Sequence, residues 1–189
     1  MGLRLLSQAH KDHPKLLEDY QLIIVECLES KDETLKQETL DLLYRMTTNE
    51  NIEVIVGKMM ETLHGSTDQY FRNALVLKIT ELCERFSPTH KWYLQTMEIL
   101  FELGSEYLTP GILNNFLRLV VENYQESYEF GEEIINKMKE LLQKNTPTDF
   151  VIRVAVWILG EIGSSYYSGN GEQLEYIYKV VYKCFELDL

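Results

Sequence analysis

Asp32-Glu33-Thr34-Leu35-Lys36, Asp68-Gln69-Tyr70-Phe71-Arg72 and Asp149-Phe150-Val151-Ile152-Arg153 share one pattern: an acid, two variable residues, an apolar residue and a base. Aspartate suits a helix start, because its carboxylate accepts from free backbone amides and sits at the positive end of the helix dipole, worth about 1 kcal/mol. The three starts lie 36 and 81 residues apart. Halving the longer interval predicts another start near residue 109, where Thr109-Pro110-Gly111-Ile112-Leu113 has a capping residue and the apolar position, with Leu113 in place of the base. The repeat length is therefore about 36 to 41 residues, enough for two helices.

Outward from these starts, apolar residues recur at three-and-four spacing, which lines one side of a helix. Phe71, Ala74, Leu75, Ile79, Leu82, Cys83 and Phe86 form one such stripe. Others run from Leu16 to Leu28, Ile52 to Leu63, Ile112 to Tyr124, Ile134 to Leu142 and Leu174 to Phe185. Short stops such as Thr48-Asn49, Ser87-Pro88 and Asn145-Thr146-Pro147 separate them. The pattern predicts an all-α fold, an α-solenoid of HEAT/armadillo-like helical hairpins with about ten helices in a curved superhelix, since such repeats bury their apolar faces only by stacking. No linker divides the stripes, so residues 1–189 read as a single segment. Because Gly2 to Leu6 aligns with Thr39 to Leu43, and the last stripe has no capping repeat after it, the chain reads as a piece of a longer solenoid truncated at both ends.

Composition narrows the function. Of 189 residues, 30 are acidic and 18 basic, a formal charge of -12 that disfavours a phosphate-tracking surface and hence nucleic acid. The longest apolar run, Val154 to Leu159, is far short of the roughly 20 residues a membrane span needs. Cys27, Cys83 and Cys184 are odd in number and lie within helical stripes, reading as buried thiols of a cytosolic protein. His10, His13, His64 and His90 never pair at metal-binding spacing, and no glycine-rich phosphate loop or nucleophile elbow occurs. The expectation is a protein without catalytic residues, metal or cofactor. Acidic dileucine patterns such as Glu38 with Leu42-Leu43, and Tyr20-Gln21-Leu22-Ile23, fall in helical stripes and read as core.

Two charge features remain. The bases Lys36, Arg72 and Arg153 lie one turn beyond their capping acids Asp32, Asp68 and Asp149, where they can reach the acid of the next repeat and form a ladder along the stack, or simply face water. Between Trp92 and Asn136, eight acids (Glu98, Glu102, Glu106, Glu122, Glu126, Glu129, Glu132 and Glu133) face the single base Arg118. They make either a docking face for a basic partner or a solvated outer wall, the usual place of charge runs on amphipathic helices.

Residues Lys31 to Thr47 (KDETLKQETLDLLYRMT) resemble the large trunk subunits of clathrin-type adaptor protein complexes, the adaptins. Asn51-Ile52-Glu53-Val54-Ile55-Val56, Phe86-Ser87-Pro88 followed by Trp92 to Met97, Asn114-Asn115-Phe116-Leu117-Arg118-Leu119 and Trp157-Ile158-Leu159-Gly160-Glu161 follow in the family's order. The Leu42 to Thr47 and Asn114 to Leu119 segments are more similar to epsilon of the fourth complex, whereas Gly160-Glu161-Ile162-Gly163 is closer to the gamma and alpha types. The resemblance implies the middle-to-late trunk of a large subunit, a scaffold in vesicle-mediated intracellular protein transport and cargo sorting. It further implies small sigma, medium mu and beta-type large subunits as partners. The implied location is cytoplasmic, peripheral on trans-Golgi network or endosomal membranes through the complex. The other reading of the residues is a generic HEAT-repeat scaffold or transport receptor that grips basic peptides on the acidic face.

Overall fold

A computed structural model describes residues 21–143, 147–167 and 169–186. Side chains are described for these except residues 21, 22, 126, 173 and 183–186, so His10, His13, Cys184 and the Glu126 carboxylate lie outside the described set. Among the described residues there are nine helices and no strand, as helix-period patterning demands. They fall into two compact units that meet in sequence at Tyr107–Leu108.

In the first unit, α1 (Gln21–Glu26) runs into a 3-10 turn at Cys27–Glu29. It is followed by α2 (Glu33–Met46), α3 (Ile52–Gly65), α4 (Gln69–Phe86) and α5 (His90–Leu103), then a second 3-10 turn at Ser105–Tyr107. Here α1 packs on α2, α3 on α4 and α4 on α5, and α2 also packs on α4, its counterpart one hairpin later. That nearest-neighbour and next-but-one pattern is how stacked repeats bury surface no single hairpin can hide. Leu40, Leu43, Ile52, Ile55, Met59, Leu63, Leu75, Ile79, Leu82 and Leu100 are fully buried between them, each contributing about 2 kcal/mol of apolar transfer.

The stripe read for α4 omits Val76, which is fully buried. The reason is tertiary: α4 touches α2, α3, α5 and the second 3-10 turn, so two of its sides are covered. The buried threonines obey the same logic. Thr39, Thr47 and Thr80 donate their hydroxyls to the carbonyls of Leu35, Leu43 and Val76 at 2.7, 2.7 and 2.8 Å, satisfying a polar group inside the stack.

The second unit comprises α6 (Pro110–Glu126), α7 (Tyr128–Gln143), α8 (Asp149–Ile158) and α9 (Gly171–Glu186). Beyond Ile158, α8 continues through a π turn at Leu159–Gly163 into a last turn at Ser164–Tyr166. Here α6 packs on α7 and α8, α7 on α8 and α9, and the π turn on α7 and α9. Phe116, Val120, Ile134, Ile135, Met138, Val154, Ile158, Leu159 and Ile162 form the core. Gly163 lies so close to α9 that a Cβ there would meet Ile177 Cδ1 at 2.9 Å.

Candidate functional site

The capping acids set the register of the first unit. Asp32 Oδ1 accepts from the amides of Thr34 at 2.9 Å and Leu35 at 3.2 Å, and Asp68 Oδ1 accepts from Phe71 at 2.6 Å. Thr109 Oγ1 does the same for Ile112 at 3.4 Å, ahead of Pro110 in the first turn of α6. The last hairpin departs from the sequence reading. Its cap is Thr148, whose hydroxyl accepts from Val151, and Asp149 is the first helical residue. Structurally aligned starts are therefore 32, 68, 109 and 148, and the residue four beyond the cap is Ile152 rather than Arg153, which is exposed.

Four residues beyond its cap, Arg72 is half-buried and bonds to backbone carbonyls rather than to a neighbouring capping acid. Nη1 donates to the carbonyls of Leu63 at 2.7 Å and Ser66 at 3.1 Å, and Nη2 donates to the carbonyl of Leu103. The guanidinium also sits 3.7 Å from Glu106 and faces the Tyr107 ring at 5.9 Å. One planar fork thus caps the C-terminal ends of α3 and α5, where carbonyls lack helical partners and the dipole favours a cation. Lys36, at the equivalent position one hairpin earlier, pairs with Glu33 of its own helix at 2.9 Å, with its ammonium 5.6 Å from the Phe71 ring centre.

Polar ties between α2 and α4 come from residues that sequence reasoning passed over. Lys78 Nζ lies 3.1 Å from Asp41 and 4.4 Å from the centre of the Tyr44 ring. Tyr44 donates to Glu81 at 2.7 Å, and that bond, with burial second, pushes its phenol above the usual range. A signal existed: Asp41 and Lys78 stand 9 and 10 residues past their caps, opposite charges at nearly one register position.

Beside Lys36 lies a cleft of about 250 Å³, walled by Leu28 and Glu29 of the first 3-10 turn, Lys36, Phe71, and Thr62 and Gly65 at the end of α3. On its rim, Lys58 bridges Glu29 at 2.7 Å and Glu61 at 2.9 Å. Those bonds, Glu29 first, hold the ammonium above its ordinary range.

The eight acids do not share one element. Glu98 and Glu102 are on α5, Glu106 is in the second 3-10 turn with Arg72, Glu122 and Glu126 are on α6, and Glu129, Glu132 and Glu133 are on α7. Glu122 pairs with Arg118 at 3.0 Å. Near Glu132, Tyr128 and Tyr166 stack with ring centres 4.3 Å apart, and Tyr167 meets Tyr166 edge-on. Burial, first of several causes, raises the Tyr166 phenol. Lys139 sits 4.9 Å from the Tyr167 ring and 5.3 Å from that of Tyr176, and burial lowers its pKa.

Cys83 is buried and Cys27 half-buried, both as free thiols, and burial pushes the Cys83 thiol well up. His64 lies in the last turn of α3 and His90 opens α5. Among the described residues no three His, Cys, Asp or Glu side chains are grouped to hold a metal ion, and no helix is long and apolar enough to cross a membrane.

The family model for the adaptin N terminal region matches residues 1–187. Human AP-4 complex subunit epsilon-1 is 39% identical over 167 residues, covering 85% of this chain and 15% of that protein. Its mouse counterpart is 38% identical over the same length and shares. AP-4 complex subunit epsilon of Arabidopsis thaliana is 30% identical over 170 residues, 87% of this chain and 18% of that protein. The chain thus spans 15% to 18% of the length of these relatives. A stack of capped hairpins at this repeat length, matched almost end to end by the family model, has one reading: the chain belongs to the adaptin family.

Proposed function

We propose that this chain is a scaffold segment in the middle-to-late trunk of an adaptor complex large subunit, serving vesicle-mediated intracellular protein transport. The observation that carries the reading is the family match over residues 1–187, joined to relatives whose names are those of adaptor complex subunits. The physics of the hairpins supports it. Their polar groups are spent on caps and ties between helices, as in Arg72 on the ends of α3 and α5, which suits a part that holds shape while other proteins dock. Its partners in this reading are a small sigma, a medium mu and a beta-type large subunit. It works in the cytoplasm, peripheral on trans-Golgi network or endosomal membranes through the assembled complex, where it sorts cargo.

Co-precipitation from cells with the full-length protein containing this sequence tests the reading. Recovery of sigma, mu and beta-type subunits in one complex is expected, and a full-length protein that recovers none of them would overturn it. The second reading, a HEAT-type receptor for basic peptides, is favoured by the exposed Glu129, Glu132 and Glu133 on α7. It requires binding of a basic peptide that fades as salt rises, without those subunits.

A further inference from the structure

Asn170 is the one asparagine of this chain that glycine follows. Both residues are exposed, and Gly171 opens α9. The Asn170 amide donates to the carbonyl of Tyr167 at 2.8 Å, and the Asn170 carbonyl accepts from the amide of Leu174 at 3.1 Å. Between those two bonds lies the amide of Gly171, one of the first four of a helix, which the helical ladder does not engage. A Cβ on Gly171 would meet no atom within 4 Å, so neither its own side chain nor a neighbour crowds that nitrogen. The first turn of a helix frays, and glycine turns freely about its backbone, so the Gly171 nitrogen can reach the side-chain carbonyl carbon of Asn170.

Other asparagines lack this combination. Asn51 Oδ1 accepts from the Thr48 amide at 2.8 Å and Nδ2 donates to the Met46 carbonyl at 3.1 Å, and the next residue is the β-branched, buried Ile52. Asn123 is buried on α6, where Nδ2 donates to the Leu119 carbonyl at 2.7 Å.

We propose that Asn170–Gly171 is a self-modification site at which the chain deamidates, with water as the co-reactant. The Gly171 nitrogen loses its proton to solvent base and bonds to the Asn170 side-chain carbonyl carbon, the side-chain nitrogen leaves as ammonia, and a cyclic imide results. Water then opens the ring. Breaking the bond to the side-chain carbonyl gives aspartate, and breaking the bond to the main-chain carbonyl gives isoaspartate; nothing is oxidised or reduced. Aspartate adds a carboxylate at the start of α9, where the dipole favours it. Isoaspartate reroutes the main chain through the side-chain carbon, so the acceptor of the Leu174 amide leaves the backbone of the helix that sets Ile177 against Gly163.

The test is to hold the whole chain in mildly alkaline and in mildly acidic buffer at body temperature, then digest it and follow each asparagine by mass spectrometry. A free peptide of residues 166–174 serves as the benchmark, and methyl transfer by a protein isoaspartate methyltransferase reports the isoaspartyl product. Conversion is expected at Asn170, faster in alkali because the amide must lose a proton, with Asn51 and Asn123 intact and the methyl-acceptor signal growing in step. Gly171→Ala should slow conversion about tenfold by crowding the nitrogen; the substitution fits, since no positive φ and no neighbouring atom opposes a Cβ there. An Asn170 that stays amidated while the free peptide converts would overturn the proposal. So would equal conversion at Asn51 or Asn123, or a Gly171→Ala chain that converts as fast as the parent.

Discussion

Without its guanidinium, Arg72 would leave the carbonyls of Leu63, Ser66 and Leu103 short of a donor in a half-buried place. Charge-assisted hydrogen bonds of this kind contribute about 1.5 to 3 kcal/mol, and stranding their acceptors adds to the loss. Arg72→Ala is therefore expected to lower unfolding free energy by about 3 kcal/mol in urea melts, and Arg72→Lys to recover less than half, since one ammonium cannot fork between two helix ends. A second residue-scale outcome concerns thiols. Cys83 is fully buried and its thiol is pushed up by desolvation, so little thiolate forms at neutral pH. A maleimide reagent followed by peptide mass spectrometry should label Cys27 on the native chain and reach Cys83 only after denaturation. Fast native labelling of Cys83 would mean that α4 opens far more readily than its packing implies.

At the scale of elements, the caps decide register, and the last hairpin separates two alignments. If Thr148 caps α8, Thr148→Ala should cost about 1 kcal/mol and Asp149→Ala only a few tenths from the dipole; equal losses in chemical denaturation would restore the aspartate as cap. Gly104 closes α5 where a Cβ would meet Val76 Cγ2 at 2.6 Å, and Val76 is fully buried. A stiff β-branched neighbour cannot yield easily, so Gly104→Ala should cost about 1 to 3 kcal/mol by the same measurement. These cases mark what was legible in sequence. Phe71, Leu75, Ile79 and Leu82 were readable because one helix face has a fixed period. Val76 was not, because its burial comes from α5 arriving on another side. In sequence the bases four beyond the caps read either as bridges to acids or as residues facing water. Arg72 binds mainly carbonyls, and a backbone acceptor at a distant helix end leaves no mark in residue type. The one-residue slip at Asp149 arose because Thr148 and Asp149 are both good starters, and only backbone geometry chooses between them.

For the molecule as a whole, the described helices pack within two units that meet in sequence at Tyr107–Leu108. Contacts that run mainly between near neighbours in sequence favour local, rapid folding. A chain of residues 108–189 alone is accordingly expected to show a helical circular dichroism spectrum and a cooperative melt; an unfolded spectrum would show that its four helices depend on the preceding unit. The π turn at Leu159–Gly163 has a consequence for comparing chains of this kind. A wide turn stores one amino acid more than the axial advance requires, and Gly160 in it is exposed with open space around its Cα. A cousin one amino acid shorter here could wind a regular α-helix and still aim Val154 and Ile162 inward, so a gap opened at this spot in an alignment would record slack in the coil, not a change of architecture.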